Sequence, residues 1–200
     1  MAKRVLHDEY FKKAKADGYA ARSAYKLLEI QKRHRLLRAG DRVLDLGCAP
    51  GSWMQVTAEI IGDNGRLVGI DLKPVRLSLP GNVTTIVGDI EQTPADDLFD
   101  IAGGAFDVVL SDMAPNTSGH GDDLVSARLC REVLSVAMRT LREGGKLAMK
   151  ILEGSEYPGV LRETKDVFRA AKGLKPRATR DASREMFIIG EGFRAPERDL

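Results

Sequence analysis

The sequence predicts a single α/β domain whose mostly parallel sheet has seven strands, helices on both faces and an antiparallel last strand. Short apolar segments of strand length alternate along the chain with longer segments of helical period. Strands that alternate with helices form parallel sheets with right-handed crossovers. The connection between the last two predicted strands is too short for a helical crossover, so we expect that pair to be antiparallel.

The first half of the chain supplies four of the predicted strands. Residues 1–16 are polar and weakly periodic, which is typical of a loosely held helix or an arm, and an amphipathic helix is predicted over residues 20–37. A glycine loop over residues 47–51 leads from the first strand into a helix over residues 52–61. The strands themselves are predicted from four apolar segments, residues 42–46, 67–71, 83–87 and 106–111.

The second half contains the longest predicted helix, over residues 122–141. Gly144 and Gly145 follow it and precede a fifth strand. The remaining predicted elements are a strand over 146–152, a helix over 159–171, and strands over 174–179 and 185–190. We therefore expect a basic arm, one domain and a tail, over residues 1–19, 20–193 and 194–200.

Composition excludes several classes of protein. The chain has 200 residues, of which 43% are hydrophobic and 30% are charged, as in ordinary globular domains. It has no apolar segment of the roughly 18 residues that a membrane helix needs and no apolar signal core, so we expect a cytoplasmic protein. We also expect it to be a monomer. Cys48 and Cys130 form neither a disulfide framework nor a zinc motif, and we expect no metal site.

The net charge of +2 hides an uneven distribution. Residues 1–42 hold 12 Lys and Arg against 5 Asp and Glu, and residues 161–184 hold 8 against 3, while residues 43–160 hold 9 against 17. Two basic segments around an acidic middle are what a phosphate backbone requires, provided that the fold brings them to one face. Solvated helix faces explain the same charges equally well.

The loop after the first strand indicates a nucleoside site. Gly47 and Gly51 allow a sharp turn at the carboxyl end of the strand that carries Asp45, where open α/β sheets bind ligands. Asp71, at the end of the second strand, can accept hydrogen bonds from both ribose hydroxyls, and Asp89, after the third strand, can reach an adenine amino group. Each acid alone fits an ordinary turn, but the three in order favour nucleoside binding.

The same loop distinguishes between cofactors. A dinucleotide fold requires G-x-G-x-x-G, which places a pyrophosphate against a helix N-terminus. Here Cys48, Ala49 and Pro50 replace the second glycine and its neighbours, and Trp53 crowds the start of the helix. S-adenosylmethionine carries no phosphate and fits this loop better, although a nicotinamide-dependent dehydrogenase stays an alternative.

Two charged residues at strand ends indicate chemistry. Asp112 follows the fourth strand and is expected to point into the cofactor crevice. Lys150 lies between Met149 and Ile151 in the fifth strand, where an unpaired buried cation is costly. A lysine at the rim of a sheet can also extend its amine to water, which is the purely structural alternative.

Five motifs in order resemble those of the FtsJ/RrmJ family of ribose 2′-O-methyltransferases. They are RSAYKL at 22–27, DLGCAPGSW at 45–53, SDMAPN at 111–116, AMK at 148–150 and SRE at 183–185. The resemblance spans about residues 20 to 192 and implies a Rossmann-like class I methyltransferase fold that uses S-adenosylmethionine. The family's Lys-Asp-Lys-Glu catalytic tetrad falls on Lys26, Asp112, Lys150 and Glu185.

The cofactor contacts expected from the loop and from this resemblance form one set, namely Asp45, Gly47, Ala49, Pro50, Gly51, Ser52, Trp53, Asp71, Leu72, Asp89, Ile90 and Asp112. Ser52 departs from the family, because many relatives have a second glycine there, and its hydroxyl could cap the following helix. Trp53 either lines the cofactor pocket, as the resemblance implies, or fills the core against the first helix.

The resulting hypothesis is an RNA ribose 2′-O-methyltransferase. Lys150 would act as a proton acceptor or stabilise the developing alkoxide, and Glu185 would orient Lys26 or the ribose. The resemblance implies a uridine of large-subunit ribosomal RNA as the target, with the anticodon-loop ribose of transfer RNA as the alternative. A non-catalytic RNA-binding assembly factor is the alternative from outside the enzymes.

Overall fold

The computed structural model describes residues 3–115, 121–179 and 183–195, with side chains from Glu9 onward. Within these ranges the helices are α1 (Lys3–Ala16), α2 (Ala24–His34), α3 (Ser52–Ile61), α4 (Ala95–Ala102), α5 (Asp122–Thr140) and α6 (Tyr157–Val167). The strands are β1 (Arg42–Leu46), β2 (Arg66–Asp71), β3 (Val83–Val87), β4 (Phe106–Ser111), β5 (Leu141–Leu152), β6 (Phe168–Leu174) and β7 (Glu185–Phe193).

These strands form one seven-stranded sheet in the order β3-β2-β1-β4-β5-β7-β6. The pairs among β1 to β5 are parallel, and β7 runs antiparallel to both of its neighbours. The predicted fold class is therefore confirmed, with the antiparallel strand last in the chain but inserted between β5 and β6. The strand order reverses between β1 and β4, and open α/β sheets bind their ligands beside such a reversal.

Helices cover both faces of the sheet because its central strands are apolar on both sides. On one face α2 and α3 contribute Leu27, Ile30 and Met54 to a buried cluster. On the other face α4, α5 and α6 contribute a second cluster, which includes Leu98 and Val133. The sheet between these clusters is a rigid base, and the loops at its carboxyl edge carry the candidate site.

The predictions for the last helix and the sixth strand were wrong. The helix ends at Val167 rather than at residue 171, and the strand occupies Phe168–Leu174 rather than residues 174–179. Phe168 is fully buried with its ring 5.6 Å from that of Phe193, and Gly190 leaves room beneath it. Pairing with β7 and burial of this ring therefore outweigh the helical preference of the Ala-Ala-Lys segment.

Three smaller boundaries also differ from prediction. The helix expected over residues 20–37 is limited to Ala24–His34, because Arg35 adopts a left-handed conformation with φ 45°. The fifth strand begins at Leu141 and passes through the two glycines instead of starting after them. The short helix α4 was not predicted at all. None of these differences moves the carboxyl ends of the strands.

Candidate active site

Four charged side chains from separate parts of the chain meet at the carboxyl edge of the sheet. Lys150 Nζ lies 2.9 Å from Asp112 Oδ1 and also donates a hydrogen bond to the Asp112 carbonyl oxygen. Lys26 Nζ lies 2.8 Å from Glu185 Oε2, and Glu185 Oε1 lies 3.9 Å from Lys150 Nζ. The structure thus brings together all four residues of the predicted tetrad.

The register of the sheet explains how the tetrad forms. Ser111 of β4 pairs with Met149 of β5, so the next residues, Asp112 and Lys150, are neighbours at the end of two parallel strands. On the other side of β5, Lys150 pairs with Phe187 and Leu152 with Glu185. Because alternate residues of a strand share a face, Lys150 and Glu185 project to the same side.

Lys26 reaches this cluster from the first turn of α2. Its side chain is only 5% exposed and its Nζ lies 5.9 Å from the centre of the Phe187 ring, a cation–π arrangement. Burial alone would raise the pKa of the Glu185 carboxyl, but the Lys26 ammonium, together with Lys150 and the Ser183 hydroxyl, holds that pKa below its usual value. Glu185 is therefore a carboxylate that bridges the two lysines.

Asp45 lies beneath the glycine loop, near the end of β1. It is 1% exposed, and its Oδ2 atom is buried without a hydrogen-bond partner among the residues that the structure describes. Burial, with the neighbouring charges of Asp112 and Asp71, raises the pKa of Asp45 to about 8. A buried carboxyl oxygen without a partner is costly, so this position fits a site that a cationic or hydrogen-donating ligand completes.

Asp71 organises the glycine loop from the end of β2. Its two carboxylate oxygens accept hydrogen bonds from the backbone N–H groups of Ala49, at 2.9 Å, and Lys73, at 2.8 Å. Gly47 has a positive φ of 74°, and a Cβ there would overlap the Met113 side chain. The loop therefore needs glycine at this position both for its backbone conformation and for the close approach of Met113.

A cavity of about 490 Å³ opens beside this loop and reaches Asp112 of the tetrad. Seven of the predicted cofactor residues line it, namely Gly47, Ala49, Asp71, Leu72, Asp89, Ile90 and Asp112. The volume is typical of a cofactor site. The carboxylates of Asp71 and Asp89 lie at or just beyond the ends of two successive strands, and the loop lacks the G-x-G-x-x-G sequence that binds a pyrophosphate. These features suit an adenosine group that carries no pyrophosphate.

The other five predicted cofactor residues do not line this cavity. Pro50 is exposed, and Gly51 and Asp45 are buried beside or beneath the loop. Ser52 does not cap α3; its Oγ lies 2.8 Å from Ser23 Oγ instead. For Trp53 the structure favours the core alternative, because the ring stacks on Phe187 at 5.6 Å and its Nε1 donates to the Ser23 carbonyl oxygen.

Sequence reasoning missed one wall of the cavity. The first turns of α5 present Val125, Arg128, Leu129 and Glu132 to it, and Met113 and Ala114 follow from the loop after β4. The spacing of the α5 residues is that of one helix face. The sequence contains that spacing, but which face of α5 meets the site depends on how the helix packs on the sheet. Asn116, in the same predicted motif as Asp112, lies outside the described residues.

Neither cysteine has the surroundings of a nucleophile. Burial raises the pKa of both thiols, to about 12 for Cys130, whose Sγ donates to the Lys150 carbonyl oxygen. Among the described residues, no group of three or more His, Cys, Asp or Glu side chains is arranged to hold a metal ion. Over the same part of the chain, no helix has the length and apolar character needed to cross a membrane.

Comparison with known proteins gives a consistent result. A family model for FtsJ-like methyltransferases matches residues 19–193. A ribosomal RNA large subunit methyltransferase E from Desulfatibacillum aliphaticivorans is 44% identical over 190 residues, which cover 94% of this chain and 91% of the relative. The protein of that name from Pseudomonas aeruginosa is 42% identical, covering 96% of this chain and 94% of its own length.

Solved structures agree with the fold. A protein from Plasmodium falciparum, described as a ribosomal RNA methyltransferase, superposes with a TM-score of 0.76 at 28% identity, over 89% of this chain and 100% of that one. A chain of the fibrillarin/Nop5p complex superposes with a TM-score of 0.62 at 22% identity, over 82% of this chain and 78% of that chain. The second likeness concerns the fold alone.

Proposed function

Because this chain belongs to the FtsJ-like methyltransferase family, we propose that it transfers a methyl group from S-adenosylmethionine to a ribose 2′-hydroxyl, at a uridine of large-subunit ribosomal RNA. One observation carries the proposal: two lysines and two carboxylates form a single buried cluster at the edge of the cofactor cavity. The relatives that match over nearly the whole chain support the choice of RNA.

The residues of the cavity fit this cofactor. Asp71 and Asp89 would hold the adenosine through its ribose hydroxyls and its adenine amino group, and the buried Asp45 would face the charged methionine part. Each oxygen of Asp71 accepts one backbone hydrogen bond and keeps a lone pair for a ligand. When bound, S-adenosylmethionine supplies an electrophilic methyl group on a sulfonium.

We assign Lys150 the role of stabilising charge on the ribose oxygen. An ammonium group donates three hydrogen bonds and accepts none. One goes to the Asp112 carbonyl oxygen, and Asp112 Oδ1 lies 2.9 Å away as the ion-pair partner. This arrangement leaves a donor for the 2′-oxygen as it attacks the methyl carbon. This is a preorganised electrostatic contact in a largely buried site, where such contacts are strong.

Lys26 and Glu185 complete the site as a positioning pair. Their ion pair fixes the ammonium of Lys26 beside the cluster, and the second oxygen of Glu185 faces Lys150. Asp112 and Glu185 each keep about a fifth of their side-chain surface exposed. Water therefore reaches the site and can take the hydroxyl proton, which becomes strongly acidic once the oxygen is methylated.

The RNA would lie across the basic segments that flank the domain. We propose that the arm over residues 1–19 and the region from Arg162 to Arg184 contact its phosphates, since both are rich in Lys and Arg. Binding in the right orientation is itself a large contribution to the rate, because aligned reactants reach effective molarities of roughly 10⁵ M or more. We further propose that the protein works as a cytoplasmic monomer.

The proposal is tested with purified protein and S-adenosylmethionine labelled in its methyl group. Large-subunit ribosomal RNA, assembled large subunits and transfer RNA are offered separately, with the Lys150→Ala variant as a control. We expect label in ribosomal RNA or the subunit and none with the variant. Label confined to transfer RNA would make the anticodon-loop alternative correct, and equal labelling by the variant would exclude the proposed site.

A further inference from the structure

A second cavity, of about 280 Å³, lies beside the active site. Phe11 and Lys15 line it from α1, Tyr19 and Arg22 from the connection between α1 and α2, and Leu77 from the chain after β2. Neither the tetrad nor the cofactor residues contribute to its walls. Its lining combines aromatic rings with cationic side chains, which is the combination that unpaired nucleotides require.

The exposure of Phe11 follows from the way α1 packs. Tyr10 and Ala14, four residues apart, form the face of α1 that meets α2: the rings of Tyr10 and Tyr25 lie 5.6 Å apart, and Ala14 is buried. Phe11 and Lys15 are each one residue further along and therefore form the adjoining face. Phe11 remains 60% exposed there, at the edge of the cavity.

This cavity adjoins the machinery of methyl transfer on two sides. Leu77 also closes the outside of the glycine loop, because a Cβ on Gly51 would lie 2.6 Å from Leu77 Cδ1. Arg22 directly precedes Ser23, whose hydroxyl contacts Ser52 and whose carbonyl accepts a hydrogen bond from Trp53. The same segment continues within one helical turn to Lys26.

We propose that this second cavity binds an unpaired nucleobase of the RNA, next to the nucleotide that is methylated, with the Phe11 ring stacked on the base. Lys15, on the same face of α1, meets the phosphate that adjoins it. The inference rests on the proposed function and adds to it a subsite for a flanking nucleotide. RNA fits better than a protein partner because the exposed ring lies in a segment with five Lys and Arg among its first 15 residues.

Two substitutions of Phe11 test the subsite against one control. Phe11→Ala removes the stacking surface, and we expect the KM for RNA to rise about 10-fold, as for the loss of one stacked base, while kcat and cofactor binding stay unchanged. Phe11→Trp keeps an aromatic ring, so we expect a KM near that of the natural protein. Met138→Ala, which removes another exposed apolar side chain, on α5, should leave all three quantities unaltered.

A second readout is independent of turnover. Trp53 is buried, so the tryptophan introduced by Phe11→Trp accounts for the solvent-sensitive part of the fluorescence. We expect naked RNA to quench this emission. The subsite would be overturned if Phe11→Ala had the KM of the natural protein and RNA did not change the emission of Phe11→Trp. It would also be overturned if both effects were seen only with assembled subunits, because that result would indicate a protein partner. Failure of the unaltered protein to methylate RNA would instead refute the proposed function, and the quenching would still be measurable.

Discussion

Lys150 donates a hydrogen bond to the Asp112 carbonyl oxygen and forms ion pairs with Asp112 and Glu185, which fix the position of its ammonium group. Methyl transfer depends on what this amine does. A charged donor and a proton acceptor both explain a lysine at this place. The two roles differ in one respect. Another permanently charged group could replace a charged donor, but it could not replace a proton acceptor.

We expect Lys150→Ala to lower kcat by about 100-fold or more, as the loss of a preorganised donor does, with unchanged binding of S-adenosylhomocysteine in a calorimeter. Lys150→Arg keeps a cation and should retain part of the lost rate. Lys146→Ala, on the same strand, is the control: its Nζ bonds to the Arg35 carbonyl oxygen, and its removal should leave kcat unchanged. If the arginine variant is as inactive as the alanine variant, Lys150 acts as a base.

Asp45 provides a pH test in the ligand-free protein. Its pKa rises from an ordinary 3.8 to about 8 in the folded state. Between these values the folded protein keeps a proton that the unfolded chain releases, so the contribution of Asp45 to stability is full below pH 3.8 and is lost as the pH rises towards 8.

The neutral variant Asp45→Asn serves as the reference for that test. We expect the free energy of unfolding of the natural protein, measured relative to this variant in urea, to fall by about 1.4 kcal/mol per pH unit between pH 5 and 7. A difference between the two proteins that does not change with pH would mean that Asp45 is ionised in the folded state.

At the scale of elements, the glycine loop between β1 and α3 depends on one close approach. We expect Gly47→Ala to lower cofactor affinity strongly, because the new Cβ would overlap Met113 at a backbone φ of 74°. Gly62→Ala is a matched control: Gly62 has a φ of 63°, but no atom of the described part of the chain lies within 4 Å of an added Cβ. Calorimetry should show weakened cofactor binding only for Gly47→Ala. If both variants bound the cofactor equally weakly, backbone strain alone would explain the loss of affinity.

The connection from β6 to β7 leads into Glu185, the first residue of β7, and is held to α2 by Glu29. Glu29 Oε2 accepts backbone hydrogen bonds from Arg177 at 2.7 Å and Ala178 at 3.3 Å, and the carboxylate also pairs with Arg33. We expect Glu29→Gln to speed hydrogen exchange in this connection and to lower kcat several-fold, because the residues before Glu185 are less firmly placed.

Glu143 offers a control for the hydrogen bonds between Glu29 and this connection. It also accepts a backbone hydrogen bond, from Ala195, and pairs with an arginine, Arg169, but it lies near the start of β5, away from the carboxyl edge of the sheet that holds the tetrad. Glu143→Gln should leave kcat and the exchange of the β6–β7 connection unchanged. Equal losses of kcat in both variants would mean that general destabilisation, rather than placement of Glu185, is responsible.

The sequence predicts the central elements well because local pattern and tertiary packing agree there. β1 carries Val43, Leu44 and Leu46, is buried from Val43 onward and is followed by a glycine loop, so strand, turn and acid could all be predicted. β6 could not, because Phe168 joins the core through its partner Phe193, 25 residues later. The roles of Trp53 and of the α5 face depend in the same way on which elements meet in space.

At the scale of the whole molecule, the fold gathers residues that are far apart in the chain. Lys26 and Glu185 are separated by 159 positions and form one ion pair, which closes only when α2 and β7 are both docked on the sheet. The basic connection after β6 also packs on the α1 and α2 side, where Ala178 joins Ala14 and Tyr25 in one cluster. The part of the second basic segment that follows β6 therefore lies on the same side as α1, whereas its α6 part lies on the opposite face of the sheet.

The atom of the nucleotide that carries the new methyl group distinguishes ribose methylation from base methylation. Alkali cleaves RNA through a free 2′-hydroxyl, so a ribose methylated at that oxygen protects its linkage. After reaction with labelled cofactor and complete alkaline hydrolysis of the ribosomal RNA, we predict label in an alkali-stable dinucleotide whose first nucleoside is uridine. Label recovered in single nucleotides would show methylation of a base and would contradict the account.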